Sequence, residues 1–196
     1  TVQVTTAPSG PVRFGSFNHN RKLSDRTLRL WAQILESIPE STLVLKANAA
    51  SDQATQQLLK RRMLRVGLNP DRITWIPLTK GHKAHLEQYQ HVDIALDPLP
   101  NGGCTTTCEA LWMGAPVITK SGNTYVSRMS TAVLAGCGLQ DWVAPDEKSY
   151  VQLAVEQAAN LSQLRSSRDR WRQQIQSSSL GDAADLMNHL EQAFTA

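Results

Sequence analysis

Short apolar runs alternate with helical segments along most of this chain, and that alternation limits its possible folds more than any other feature of the sequence. Strands are predicted at 12–17, 42–46, 73–76, 94–96 and 117–119. The segments between them carry apolar residues at helical spacing, as in the stripe formed by Leu28, Trp31, Leu35 and Ile38. Compact apolar strands separated by helices are typical of a parallel sheet that is covered on both faces. We therefore predict an α/β fold with a doubly wound parallel sheet.

The predicted helices have recognisable ends. Ser24 is expected to be the N-cap of the first helix, which ends at Pro39. Ser51 is expected to be the N-cap of the second helix, which ends at Gly67. Further helices are predicted at 83–91 and 106–113. The sequence beyond 119 is mainly helical, with segments at 128–134, 147–161, 164–176 and 182–194. A short edge strand is predicted at 142–143. We divide the chain into a linker at 1–11, a sheet domain at 12–145, and a helical extension of the same domain at 146–196.

The composition argues against several functional classes. The 196 residues are 41% hydrophobic and 19% charged with a net charge of +3, which suits a globular domain and permits an anionic ligand. No block of Lys and Arg contains interleaved aromatic residues, so we expect no nucleic-acid partner. No apolar run approaches about twenty residues, so we expect no membrane span. The N-terminus has neither a signal-peptide pattern nor an initiator Met, and we expect a fragment of a longer protein.

Three cysteines, Cys104, Cys108 and Cys137, bear on the compartment of the protein. An odd number without close pairing argues against structural disulfides and for a reducing, cytoplasmic location. Three residues separate Cys104 from Cys108, which matches no common zinc-ligand spacing, and no His pair stands nearby at ligand spacing. We expect neither a metal ion nor another cofactor.

The loop after the fourth predicted strand has the residues of an anion site. Gly102 and Gly103 allow a close backbone approach to a ligand, and the threonines at 105–107 stand where a helix begins, with hydroxyl and N–H groups expected to face outward. Glu109 lies one helical turn after Thr105. This pattern suits a nucleotide, with the diphosphate on the threonines and the ribose diol on the carboxylate. The alternative is a strand-to-helix connection with a Thr cap.

Other polar residues also follow predicted strands. Lys22 follows the first strand, and Lys80, His82 and His85 follow the third. Because the carboxyl ends of parallel strands share one edge of the sheet, these residues are expected to converge there. A surface lysine and a solvated helix face are the alternatives. No Walker loop, Gly-x-Ser-x-Gly or Asp-x-Asp motif is present, so phosphate charge would be balanced by Lys22, hydroxyls and a helix N-terminus without a metal.

Two segments resemble a known family. They are FGSFN at 14–18, followed by Lys22, and TTTCEAL at 105–111, followed by MGAP at 113–116. They are similar to motifs in the C-terminal catalytic half of O-linked N-acetylglucosamine transferases and their plant SPINDLY relatives. Ser127-Arg128 resembles a third, weaker motif. The resemblance extends over about 12–177.

The resemblance implies a lobe of a GT-B glycosyltransferase, which has two Rossmann-like lobes with the active site between them, usually preceded by tetratricopeptide repeats. Such enzymes transfer a sugar from a nucleotide donor to Ser or Thr hydroxyls of proteins, with inversion and without a metal. The implied donor is UDP-N-acetylglucosamine, with GDP-fucose as the alternative. The N-terminal catalytic lobe and the repeats are missing from this sequence. We expect the chain to fold alone, to bind nucleotide weakly or not at all, and to lack transfer activity.

The resemblance also assigns roles to individual residues. Lys22 falls on the lysine that stabilises the leaving diphosphate, and His19 on a Gln that approaches the phosphates. His85 falls on the His that packs against the base. Thr105 and Thr106 fall on the diphosphate-binding threonines, with Thr107 beside them, and Glu109 falls on the acidic residue that holds the ribose.

The sequence departs from the family pattern at the donor site. Cys104 stands where the N-acetylglucosamine transferases have a His. His82 stands where they have a Lys that contacts the base. A shift of the loop would bring Lys80 to that same place. TTTCE is closer to the SPINDLY branch, some members of which use GDP-fucose. The base and the sugar therefore stay open. Two other classes also remain: a non-catalytic nucleotide-binding or scaffold lobe, and a sugar-nucleotide epimerase or hydrolase.

Overall fold

The computed structural model describes residues 2–4 and 9–195 of the chain. Within these residues, one sheet holds six parallel strands in the order β3-β2-β1-β4-β5-β6. The strands are β1 (Arg13–Ser16), β2 (Thr42–Lys46), β3 (Ile73–Ile76), β4 (Ile94–Leu96), β5 (Val117–Lys120) and β6 (Val143–Ala144). The predicted α/β class with a doubly wound, Rossmann-like parallel sheet is confirmed.

Nine α-helices accompany the sheet in the part of the chain that the structure describes. They are α1 (Asp25–Ser37), α2 (Gln53–Arg65), α3 (His82–Glu87), α4 (Thr105–Trp112), α5 (Tyr125–Gly136), α6 (Glu147–Ala159), α7 (Leu161–Ser166), α8 (Arg168–Gln176) and α9 (Ala183–Thr195). In this described part, none of the helices has the length and apolar character needed to cross a lipid bilayer.

The strand order reverses between β1 and β4, and this reversal positions the site. From β1 the chain moves outward to β2 and β3, whereas from β4 it moves the other way to β5 and β6. Right-handed crossovers in opposite directions open a crevice at the carboxyl ends of the two central strands. The loops after β1 and β4 meet at this crevice.

The central strands form the core beneath the crevice. Phe14 of β1 lies level with Leu43 of β2 and Ile94 of β4, and all three side chains are fully buried. Gly15 follows on β1, where a Cβ atom would overlap the side chain of Val92 at the entrance to β4. The strand backbones are therefore held close at the centre of the sheet.

Several predicted boundaries are wrong in detail. The N-cap of α2 is Asp52 and not Ser51, because the Asp52 carboxylate accepts hydrogen bonds from the N–H groups of Ala54 and Thr55. The helix expected at 164–176 is divided into α7 and α8 at Ser167. The helix expected at 83–91 is α-helical to Glu87 and continues as a 3-10 turn. The helix expected from 128 begins at Tyr125.

Helices α6, α7 and α8 pack onto the sheet domain. Helix α6 packs against α1, where the fully buried Tyr150 accepts a hydrogen bond from Trp31 and donates one to the carbonyl of Asp97, at 2.9 Å. The guanidinium of Arg168 is buried and donates to the carbonyls of Val92, Tyr89 and Met113. Helix α9 has no buried side chain. The division at 145 stays a prediction.

The predicted linker at 1–11 lies partly outside the described residues, since 1 and 5–8 are not among them. In its described part, Val2 packs against the core, and the carbonyls of Gly10 and Pro11 accept hydrogen bonds from Arg165. The segment therefore has contacts with both the core and α7.

Candidate functional site

Lys22 joins the two loops that border the crevice. It ends the 3-10 turn Asn20–Lys22 after β1, and Ser24 then caps α1 as predicted. Its ammonium group donates to the side-chain oxygen of Asn18 at 2.9 Å and to the carbonyl oxygen of Gly102 at 2.7 Å. These two bonds hold the positive charge over the end of the loop that follows β4, next to the N-terminus of α4.

The Gly102-Gly103 loop is held at several points. Gly103 donates its N–H to Oδ1 of Asp97 at 3.0 Å, and its carbonyl accepts from the hydroxyl of Ser130 at 3.0 Å. A Cβ atom on Gly103 would overlap the hydroxyl oxygens of Thr106 and Thr107. Glycine is therefore required here by close packing against the first turn of α4.

Asp97 supports this loop from the interior. The residue is buried, and its Oδ2 has no hydrogen-bond partner among the described residues. Burial raises the pKa of Asp97 above its ordinary value.

Leu99 binds the loop to α1, because its backbone exchanges hydrogen bonds with the hydroxyl of Thr27 at 2.9 Å. The loop geometry is thus set by both the sheet and α1.

The three threonines at the start of α4 point in different directions. Thr105 is exposed, and Thr106 is half-buried with its hydroxyl 3.3 Å from Oδ1 of Asn18. Thr107 is buried, and its hydroxyl lies 2.9 Å from that of Ser130. The expectation that all three hydroxyls face outward is therefore wrong for Thr107, which packs against α5. The N–H groups of Thr105 and Thr106 have no acceptor among the residues described, as is usual at a helix N-terminus.

Glu109 binds two histidines on α3. Nε2 of His85 lies 3.0 Å from Oε2 of Glu109, and Nε2 of His82 lies 3.2 Å from Oε1. Partial burial raises the pKa of Glu109, but the hydrogen bonds from His85 and His82 outweigh it and hold that pKa below its ordinary value. The carboxylate is therefore ionised near neutral pH.

Two aromatic side chains lie beside His85. The ring centroids of Phe17 and His85 are 5.9 Å apart, and those of Tyr89 and His85 are 6.0 Å apart, both in edge-on arrangements. Tyr89 also donates its hydroxyl to the carbonyl of Thr106 at 3.2 Å. The imidazole thus lies at the border between an apolar cluster and the open crevice, which is suitable for contact with a nucleotide base.

The other predicted residues lie at the border of the site. His19 is exposed and caps the turn before Lys22, with Nδ1 accepting from the N–H of Arg21 at 3.1 Å. Cys104 is half-buried at the N-cap position of α4. Lys80 is exposed in the loop before α3 and has no hydrogen bond or ion pair with another described residue.

Two polar residues of the site were not predicted. Asn18 is buried and accepts from both Lys22 and Thr106. Lys46, the last residue of β2, is buried with its ammonium nitrogen 2.7 Å from Nδ1 of His85. The available signal was the position of Lys46 at the carboxyl end of an apolar strand, because such ends lie at the ligand-binding edge of the sheet.

Together these groups can bind a nucleoside diphosphate. Lys22, two free N–H groups and the hydroxyls of Thr105 and Thr106 can bind phosphate oxygens, and the Glu109 carboxylate can accept from the ribose diol. Within 2–4 and 9–195, no group of three or more His, Cys, Asp or Glu side chains is arranged to hold a metal ion.

Comparison with known proteins gives related sequences over nearly the whole chain. Residues 1–190 match glycosyl transferase family 41. A probable UDP-N-acetylglucosamine–peptide N-acetylglucosaminyltransferase SPINDLY from Petunia hybrida is 34% identical over 97% of this chain. A UDP-N-acetylglucosamine–peptide N-acetylglucosaminyltransferase from Caenorhabditis elegans is 29% identical over 94% of the chain. The chain spans 21% and 16% of the lengths of these two relatives.

Solved structures with a similar fold include one related enzyme. A mutant O-GlcNAc transferase from Thermobaculum terrenum superposes with a TM-score of 0.86 and 32% identity, covering 98% of this chain and 36% of that protein. A sucrose-phosphate synthase from Thermosynechococcus elongatus shares the fold alone, with a TM-score of 0.64 and 16% identity. The predicted family resemblance is confirmed, and the chain belongs to glycosyl transferase family 41.

Proposed function

We propose that this chain is the nucleotide-sugar-binding C-terminal lobe of an inverting protein O-glycosyltransferase that moves N-acetylglucosamine from UDP-N-acetylglucosamine to Ser or Thr of proteins. Family membership supports the reaction class. The observation that carries the proposal is the bridge of Lys22 from Asn18 to Gly102, because it holds a cation over the glycine loop and the N-terminus of α4. A nucleotide diphosphate is the ligand that this combination suits best.

Each part of the donor has a matching group. Lys22 balances the charge that develops on the leaving diphosphate, while Thr105 and Thr106 bind its oxygens. Glu109 accepts hydrogen bonds from the ribose hydroxyls, and His85 contacts the base from the edge of the aromatic cluster. Thr107 supports the loop from within. His19, His82, Lys80 and Cys104 border the donor. We propose that this site works without a metal, because Lys22 and the helix N-terminus supply the positive charge.

The remaining functions belong to other parts of a longer protein. The chain spans about a fifth of the curated relatives that it matches. We propose that an N-terminal catalytic lobe completes the active site, that tetratricopeptide repeats select protein acceptors, and that the whole protein is cytoplasmic. The isolated chain is then expected to bind nucleotide weakly and to transfer no sugar.

GDP-fucose is the alternative donor. It is favoured by Cys104, which stands beside Thr105 where the N-acetylglucosamine transferases have a His, and by the SPINDLY relatives at 33–34% identity. A non-catalytic scaffold lobe is a further alternative. It would be favoured if Lys22→Ala left the activity of the full-length protein unchanged. Donor consumption without labelling of any protein would instead favour an epimerase or hydrolase.

Titration of the isotope-labelled chain with UDP and, separately, with GDP tests the proposal. Because NMR detects binding in the millimolar range, weak affinity does not obscure the result. We expect amide shifts at 22, 85 and 105–109, with the larger response to UDP. A larger response to GDP would favour the fucose donor. Absence of shifts at these residues with both nucleotides would contradict the assigned site.

A further inference from the structure

A buried lysine with no role in the proposed donor contacts lies behind the site. Lys46 is only 4% exposed at the end of β2. Its ammonium nitrogen is 2.7 Å from Nδ1 of His85 and 5.9 Å from the centroid of the Phe17 ring. Burying an ammonium group costs free energy unless it has a hydrogen-bond partner. For Lys46, the partner shown by the structure is an imidazole nitrogen and not a carboxylate.

The direction of this hydrogen bond fixes the protonation of His85. An ammonium group has three donors and no acceptor, so Nδ1 of His85 accepts and carries no proton. The ring proton of a neutral imidazole then resides on Nε2. That nitrogen lies 3.0 Å from Oε2 of Glu109 and donates to it. Hydrogen bonds therefore run in one direction from Lys46 through His85 to Glu109.

The surroundings of His85 favour this arrangement. Burial lowers the pKa of Lys46, and the negative charge of Glu109 opposes that effect and favours the ammonium form. His82 on α3 faces the other carboxylate oxygen at 3.2 Å. Among the described residues, the rings nearest the imidazole are those of Phe17, Tyr89 and His82, with centroids 5.9, 6.0 and 6.4 Å away. Lys46 is thus the cation that sets the donor and acceptor roles of the two imidazole nitrogens.

We propose that Lys46 is a positioning residue that holds His85 in its Nε2–H tautomer and so fixes the Glu109 carboxylate for the ribose hydroxyls of the nucleotide. The inference rests on the proposed function, because it requires Glu109 to bind the ribose. Lys46 itself is buried beneath His85 and acts on the nucleotide through that side chain. Its effect is on binding of the nucleoside part, whichever base the donor carries.

Lys46→Met tests this role, because methionine has a similar length and an apolar tip that the buried end of β2 accommodates. Lys46→Arg retains a cationic donor and serves as the rescue variant. Lys83→Met is the matched control, since Lys83 lies on the same helix as His85 and its side chain is 77% exposed. Thermal melting of each variant shows that it is folded before binding is measured.

The first readout is the pair of imidazole ¹⁵N resonances of His85 in the nucleotide-free chain. In the unchanged chain and in Lys46→Arg, we expect the pattern of a single Nε2–H tautomer. In Lys46→Met the ring loses the donor to Nδ1, and we expect the Nδ1 resonance to move toward that of a mixture of protonation states. The second readout is the UDP dissociation constant from NMR titration, which we expect to rise about tenfold in Lys46→Met alone.

The outcomes separate this inference from the proposed function. Unchanged His85 resonances in Lys46→Met would overturn the inference without reference to any nucleotide. Altered His85 resonances with an unchanged UDP dissociation constant would also overturn the inference. Glu109 would then bind the ribose independently of the hydrogen bonds from Lys46 through His85. Failure of the unchanged chain to respond to UDP and GDP would instead contradict the proposed donor site, while the His85 resonances would still report whether Lys46 controls the tautomer.

Discussion

The charge of Lys22 distinguishes the crevice from an ordinary strand-to-helix loop. Its nitrogen has two oxygen partners, one on each of the loops after β1 and β4. An exposed surface lysine would instead have a mobile side chain without such partners. Because an ammonium group has three donors, Lys22 retains one for an incoming phosphate oxygen while it holds the loops together.

Lys22→Met is expected to weaken UDP binding by about tenfold to a hundredfold, since a hydrogen bond to a charged group contributes about 1.5–3 kcal/mol. Titration followed by NMR at the amides of Thr105 and Thr106 measures this change. Lys148→Met is the control with the same change in charge, because Lys148 is exposed on α6. Equal UDP affinities for the two variants would show that Lys22 does not contribute to nucleotide binding.

At the scale of elements, the start of each helix decides what the preceding loop can present. Helix α4 begins at Thr105 without a side-chain cap from Cys104, so its first N–H groups stay available to a ligand. Helix α2 begins instead with a carboxylate cap. Asp52 accepts from the N–H groups of Ala54 and Thr55 at 3.2 and 3.3 Å, whereas Ser51 lies one residue earlier in a 3-10 turn.

Asp52→Ala is therefore expected to lower the melting temperature by about 2–4 °C, the usual effect of losing an N-cap in a domain of this size. Ser51→Ala, the neighbouring control, should leave the melting temperature unchanged. Circular dichroism during heating measures both. A larger loss from Ser51→Ala would show that the serine is the cap in solution.

At the scale of the whole molecule, Asp93 connects three distant parts of the chain. Its buried carboxylate pairs with Arg13 of β1 at 3.1 Å and with Arg165 of α7 at 2.9 Å. Arg165 also donates to the carbonyls of Gly10 and Pro11. Burial raises the pKa of Asp93, but the hydrogen bonds from Arg165 and Arg13 outweigh it and lower that pKa below its ordinary value.

This network predicts a dependence of stability on pH. A carboxyl group whose pKa is lower in the folded chain stabilises it fully above its unfolded pKa of about 3.9, and the contribution is lost as pH falls through the folded value. Asp93→Asn is expected to lower the free energy of unfolding by about 3–5 kcal/mol at pH 7, because two arginines lose a buried partner. The difference from the unchanged chain should shrink below about pH 4.

Urea unfolding at a series of pH values measures this dependence. Asp71→Asn is the control, because Asp71 is exposed in the turn before β3 and has no ion pair with another described residue. A destabilisation by Asp93→Asn that stays constant from pH 7 to pH 3 would contradict an electrostatic role for the network and indicate a packing role.

Much of the fold was predictable because its signals are local. Apolar runs and helical periodicity gave the observed bounds of β2, β3 and β4, and Ser24 was recognised as a cap from its place before an amphipathic stretch. The prediction of Ser51 as the N-cap of α2 was wrong, because Ser and Asp are both good caps and the backbone geometry of the preceding turn, which places Asp52 at the cap, is not visible in the sequence.

The sequence by itself determined the alternation of strands and helices, the family motifs, and the candidate phosphate-binding residues, because each depends on neighbours within a few positions. Only the tertiary structure decided the contacts between distant residues. It placed Lys46 against His85, 39 positions away, and turned Thr107 inward toward Ser130. Strand order determines which loops meet at the sheet edge, and packing selects each side-chain rotamer, so a one-dimensional pattern does not contain either contact.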